Sequence, residues 1–269
     1  MSESTVCTAV WQVTAAYIYV LRLDAADLAW EYLRRHPDYR ANWHRAGRRA
    51  VAQEAAPWGL ARFEDPALDA RQAHPIWDVR LPARLHLRAV QTAEGAPDAG
   101  GEATLDLWRI PGRKDLAVLP DGIFLQARDA ARCLRARLEP GVLDGRPALC
   151  IVPLDTRAHT QAALLAGHAA HLAPSRAANS RAAARAHAHR VSQAGLHHLQ
   201  SLQALDGVQA GASHRMIAEE LYGRERVRRQ WHADSALRAQ LRHHLARGFA
   251  LMRGGYLDLA GLRRASQKG

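Results

Sequence analysis

The chain has little of what marks several common protein classes. Its three cysteines, Cys7, Cys133 and Cys150, are odd in number and lack a Cys-x-x-Cys spacing. That speaks against a disulfide framework and a cysteine-rich zinc site, and fits a reducing cytoplasm. Thr8–Leu21 is fairly apolar, yet it is shorter than the roughly 20 residues of a membrane span. Only Glu3 carries charge before it, so neither a signal peptide nor a membrane anchor is expected. The patterns Gly-x-x-x-x-Gly-Lys-[Ser/Thr], Gly-x-Gly-x-x-Gly, Gly-x-Ser-x-Gly and His-Glu-x-x-His are all missing. With them go the usual signatures of phosphate cradles, nucleophile elbows and zinc hydrolases. No catalytic residue, cofactor or metal is therefore assigned, and the expected protein is not an enzyme.

Lysine is nearly missing too, since Lys114 and Lys268 are the only two, yet Lys plus Arg total 37 against 26 Asp plus Glu, a net charge of +11. Guanidinium groups suit phosphate because they bind it bidentately. Arginine usage also follows genome composition, so the sign of the charge carries the argument. The excess is local. Residues 1–95 hold 12 arginines and 11 acids, residues 96–170 hold 9 bases and 9 acids, and residues 171–269 hold 16 bases and 6 acids. A C-terminal part that faces nucleic acid beside two neutral parts is the expectation.

With 269 residues, two or three modest domains are expected. In the first, Asp24 caps a helix that carries Leu28, Trp30, Tyr32 and Leu33 and stops at Pro37. The aromatic, proline-punctuated stretch Pro57–Pro82 reads as an ordered loop or strand edge that packs Trp58, Phe63 and Trp77 on the first helices. Short apolar runs between Leu105 and Pro153 (LDLWRI, LAVLP, IFLQA, ALCIVPLD), broken by Pro-Gly and Asp-Gly pairs, read as strands of a small sheet. Helical periodicity returns over Thr160–Leu172, and the Ala/Arg/His/Ser tract from Ser175 to Gln193 reads as a linker. The expected fold is α+β, mainly helical, with a small central antiparallel β segment and a C-terminal three-helix domain of helix-turn-helix type. Its boundaries are 1–95 for a helical module, 96–173 for the β segment plus a helix, 174–193 for the linker and 194–269 for the DNA-binding domain.

Within that last domain Leu196, Leu199, Leu202 and Leu205 stripe one helix, which is expected to end at Asp206-Gly207. A second starts at Ser213, its N-cap, and stops at Gly223, with Ile217, Ala218, Leu221 and Tyr222 facing inward. RERVRRQW follows, anchored by Val227 and Trp231. A long last helix, capped by Asp234 or Ser235, has Leu237, Leu241, Leu245, Phe249 and Met252 on one face and Arg238, Arg242, His243 and Arg247 opposite. A small Ala218 within the spacing Ser-x-x-x-Ile-Ala-x-x-Leu lets a second helix cross closely, as in the first helix of a helix-turn-helix.

The run LQALDGVQAGASHRMIAEELYG, the tryptophan of RRQW, the arginines of SALRAQLRHHLARG and the terminal RGGYLDL resemble a helix-turn-helix variant long catalogued as a domain of unknown function. Upstream, DAADLAWEYLRRHPDYR and WGLARFEDPALDARQAHPIW resemble the proteobacterial transcriptional-regulator-like domain fused to it, and ALCIVPLD matches the β segment between them. The two-domain arrangement resembles the FseA-type transcriptional activators of integrative and conjugative elements in proteobacteria. The resemblance implies a DNA-binding activator of excision or transfer genes. Anti-activators share the C-terminal fold, so an interaction module that binds another regulator and not DNA is the alternative.

Double-stranded DNA is the expected partner, with RNA polymerase, an anti-activator or a second copy as further ones. Arg238, Arg242 and His243 are the candidates for the groove, Arg228, Arg229 and Arg247 for phosphates, with Ser213 at the helix start included in the contact set. The RERVRRQW segment is an alternative groove element. Histidines at close spacing (His168 and His171, His187 and His189, His197-His198, His243-His244) invite a metal reading. No acid or cysteine stands at ligand spacing beside them, so packing explains them better.

Overall fold

The computed structural model describes residues 10–46, 52–78, 80–90, 104–129, 133–155, 158–172 and 192–262. The chain divides into two compact units, one of residues 1–58, 63–73 and 189–269 and the other of residues 59–62 and 74–188. The first is helical. Asp24 caps α1, Ala25–Leu33, by accepting from the Asp27 amide at 2.9 Å. Pro37 lies beyond its end and opens α2, Pro37–Ala46, because its fixed φ and missing N–H suit a first helical position. A short α3, Ala52–Ala55, follows. α1 is buried on every side from Ala26 to Leu33, and the Trp30 indole N–H donates to the Leu68 carbonyl at 3.0 Å. Tyr39 sits among the rings of Trp30, Trp58 and Phe63, with centroids 5.5 to 5.8 Å away.

The remaining helices of this unit come from the other end of the chain. They are α5, Gln193–Gln209; α6, His214–Tyr222; α7, Arg224–Gln230; α8, Ala236–Ala250; and the short α9, Tyr256–Leu259. α8 ends in a wide turn, Leu251–Gly255, broken at Gly254, whose φ is 125°. α5 does not stop at Asp206-Gly207 as its sequence suggested. It runs three residues past Asp206 because Asp206 has a partner in α1's C-terminal turn and because Gly207 is where another helix packs. A Cβ at Gly207 would stand 2.8 Å from Ile217 Cγ1 of α6 and 3.2 Å from Trp11. Trp11 itself belongs to the N-terminal 3₁₀ segments Val10–Gln12 and Thr14–Arg22.

The second unit is built on a five-stranded sheet. Its strands are β1, Leu85–Ala89; β2, Arg113–Leu119; β3, Gly122–Arg128; β4, Cys133–Leu138; and β5, Ala148–Ile151, in the order β2-β3-β4-β1-β5. β2, β3 and β4 form an antiparallel meander and β1 pairs antiparallel with β5, while β1 and β4 run parallel. One sheet face carries Leu85, Leu87, Leu125, Ala127, Leu134, Ala136 and Leu138, and Leu164 and Leu165 of α4, Ala158–Leu172, pack against it.

Three sequence expectations differ here. LDLWRI is a capped 3₁₀ turn, Leu107–Arg109, where Asp106 accepts from the Trp108 amide. Trp77 pairs with Leu60 inside the sheet unit. The boundary expected at 95 cuts between β1 and its partners β4 and β5, and the modules expected to be separate at the two ends of the chain share one unit. Residues 174–191 of the expected linker lie outside the described residues.

Candidate nucleic-acid interface

α6, α7 and α8 are held by a core of Ile217, Ala218, Val227, Leu237, Leu241 and Leu245, joined by Ala204 of α5 and by Trp11. Each local start is legible in the residues. Ser213 caps α6, its hydroxyl accepting from the Met216 amide at 3.3 Å. Gly223, at φ 90°, forms the whole connection between α6 and α7. Ser235, not Asp234, caps α8 by accepting from the Arg238 amide at 3.3 Å.

Such a core turns the arginines outward. On α7 only Val227 is buried, so Arg224, Arg226, Arg228 and Arg229 all face solvent. Arg228 and Arg229 each reach Glu225 at 3.2 Å, and Arg226 donates to the Gln230 carboxamide at 3.4 Å. On α6, Arg215 pairs with Glu219 at 3.0 Å. Exposed pairs of this kind are worth about 0–1 kcal/mol, so they cost little to exchange for phosphate. On α8, Arg242 and His243 are exposed, and Arg238 is half-buried with its guanidinium 5.8 Å above the Trp231 ring.

Arg247 is placed differently from the other candidates. Its Nη2 donates to His198 Nε2 at 3.0 Å, and His198 Nδ1 lies 3.0 Å from the Tyr32 hydroxyl of α1. A guanidinium has only donors, so His198 accepts at Nε2 and carries its proton on Nδ1, towards Tyr32. Burial, with Arg247 and His197 beside it, drives the His198 pKa down to about 4. Arg247 therefore joins the helices and is not free with the outward arginines. His244 is buried as well, its Nδ1 3.4 Å from the Ser201 hydroxyl. Burial and the neighbouring His197 and His243 push its pKa down to about 4. Two of the histidine pairs thus gather at the crossing of α5 and α8, where the His197 and His244 ring centroids are 5.7 Å apart. Among the described residues no group of three or more His, Cys, Asp or Glu is placed to hold a metal ion. His187, His189 and the side chain of His171 lie outside the described residues.

A network that sequence reasoning missed ties this surface to the N-terminal helices. Arg35 reaches Asp206 of α5 with two hydrogen bonds, and Tyr17 donates to the same carboxylate at 2.6 Å. Glu31, fully buried, takes Arg34 at 2.8 Å and Arg35 at 2.6 Å and accepts from the Ala70 amide. Burial would raise the Glu31 carboxyl, but Arg35 and Arg34 outweigh it and hold it at about 2. In the sequence Asp206 reads as a helix stop and Arg35 has no assigned role. The only signal was that both are charges set in apolar stripes.

Comparison with known families agrees with this division of labour. Residues 151–261 match a family described as a T6SS transcription factor DNA-binding domain, and residues 10–63 match the proteobacterial transcriptional regulator-like domain. The chain is a DNA-binding transcription regulator. No curated protein matches it. In this regulator α4 to α9 fall within the first match, and α1 to α3 within the second. Among the described residues no helix is long and apolar enough to cross a membrane.

Proposed function

We propose that the regulator is a sequence-specific transcriptional activator that binds double-stranded DNA in the cytoplasm and controls excision or transfer genes of an integrative and conjugative element. The observation that carries the reading is the outward set of arginines on α6, α7 and α8, fixed on one small core, those of α6 and α7, Arg226 apart, paired among the described residues with glutamates of these two helices. Arg228 and Arg229 take phosphates, and Arg238, Arg242 and His243 face the duplex. Ser213 serves as the cap that sets α6. RNA polymerase, an anti-activator or a second copy is the protein partner that goes with this reading.

Footprinting of the full chain on promoters beside its own gene, paired with a reporter assay, tests this. The reading predicts salt-dependent protection of a discrete site and raised transcription from it. Protection confined to promoters unrelated to excision or transfer would overturn that choice of targets and leave the DNA-binding reading. Stoichiometric binding to another regulator with no DNA retained would replace the activator with an anti-activator.

A further inference from the structure

Resting on that reading, the structure assigns base readout to α8 through Arg242 and His243, and leaves α7 a sequence-independent phosphate clamp. The two candidate elements differ in their acids. α7 carries four arginines and one glutamate, with Glu219 and Glu220 on α6 just before it, whereas α8 carries three arginines and no acid. The α6–α7 arginines are engaged locally: Arg215 with Glu219, Arg224 with Glu220, Arg228 and Arg229 with Glu225, and Arg226 with Gln230. A carboxylate held between two arginines can face a phosphate wall with the arginines turned to it. Inside a groove lined by two phosphate strands it adds repulsion that an element without acids does not meet.

α8 has the opposite character. Its core face is Leu237, Leu241, His244, Leu245 and Gly248. At 100° per residue, the opposite direction is occupied by Ala239 and Ala246, both exposed, with Arg242 and His243 flanking them on either side. Small side chains at the centre leave room for a groove floor. Arg242 has no hydrogen bond or ion pair among the described residues, so its five donors are open to a base edge. The fork of a guanidinium matches guanine O6 and N7, and an imidazole N–H reaches the same acceptors singly. Arg238 stands about 100° from the centre of this face and leans on Trp231, which places it towards a groove wall. The fifteen residues of α8 span about 22 Å, against about 10 Å for α7, enough to follow the groove across several base pairs.

The test uses the full chain and a random-sequence duplex pool. Sites recovered from the pool are then measured with every single base-pair change, against an unrelated duplex, for the wild type and for Arg242→Lys, Arg242→Ala, His243→Ala and Arg229→Ala. Arg242→Lys keeps the charge and loses the fork. It is expected to lose roughly 5- to 150-fold preference at one base pair while its binding to the unrelated duplex stays within about two-fold. Arg229→Ala is expected to weaken every duplex by the same factor. A position-specific loss in Arg229→Ala, or a uniform loss in Arg242→Lys, overturns the assignment to α8 and leaves the DNA-binding reading intact. Failure of the wild type to retain any duplex at low salt overturns both.

Discussion

The Arg35 guanidinium grips the Asp206 carboxylate with two parallel hydrogen bonds, Nε to Oδ1 at 2.6 Å and Nη2 to Oδ2 at 2.8 Å, across 171 residues of chain. Burial alone would lower the Arg35 pKa, and Asp206 and Glu31 overcome it, raising it well above its ordinary value. The pair fastens α5, and through it the DNA-binding helices, to the regulator-like N-terminal helices.

Asp206→Asn leaves Arg35, 4% exposed, without that carboxylate, while Asp206 itself is 24% exposed. Removing one partner of a buried pair costs about 3–5 kcal/mol, and the partial exposure of Asp206 puts this case near 3. Chemical denaturation of the full chain is expected to show that loss in a transition that includes both terminal segments. Separate transitions for the two segments in the wild type would refute the coupling.

Acid should destabilise the chain in two stages. His198, held neutral with a pKa of about 4 against an ordinary 6.5, favours the unfolded state as pH falls from about 6.5 to 4, because the unfolded imidazole takes up its proton first. Glu31, at about 2 against 4.5, contributes stability that is complete above about pH 4.5 and lost as pH falls towards 2. His244, also held at about 4, acts over the same interval, so His198→Gln should reduce the first stage without abolishing it and leave the second. An NMR titration that places the His198 midpoint near 6.5 would rule out the neutral bridge between Tyr32 and Arg247.

Gly207→Ala puts a Cβ 2.8 Å from Ile217 Cγ1. Alanine is the better helix former by about 1 kcal/mol, so a purely local view predicts stabilisation. Ile217 is fully buried and β-branched, and overpacking of this kind costs about 1–3 kcal/mol. The melting temperature is expected to drop, and a rise would show that α6 can move off α5.

Arginines that contact phosphate and arginines that hold the fold separate by salt dependence. Arg228→Ala and Arg229→Ala should each lower the slope of log K against log salt by about 1, without changing thermal stability. Arg247→Ala should lower stability, because Nη2 is bonded to His198, and should leave the slope unchanged. A slope change for Arg247→Ala of the same size would return that residue to the phosphate set.

Much of the local structure was legible. Asp24, Ser213, Gly223 and Ser235 mark helix ends with the side chains and backbone freedom that ends require, and the third of the chain with excess positive charge holds the outward arginines. β1 and β4 do not stand out as apolar runs, because a polar residue follows each apolar one: Leu85, Leu87 and Ala89 alternate with His86 and Arg88, and Leu134, Ala136 and Leu138 with Arg135 and Arg137. Strand pairing was out of reach, since β1 and β4 meet only when a meander has formed between them.

By itself the sequence determined where helices begin, which faces are apolar and where positive charge accumulates, because those follow from residues within a few turns of one another. Only the tertiary structure decided that the two ends of the chain form one unit, that Asp206 is the counter-ion of Arg35, and that Arg247 is bonded to His198 while Arg242 is exposed. Those outcomes depend on which groups meet across 49 to 171 residues of chain, and burial, not spacing, selects the partners.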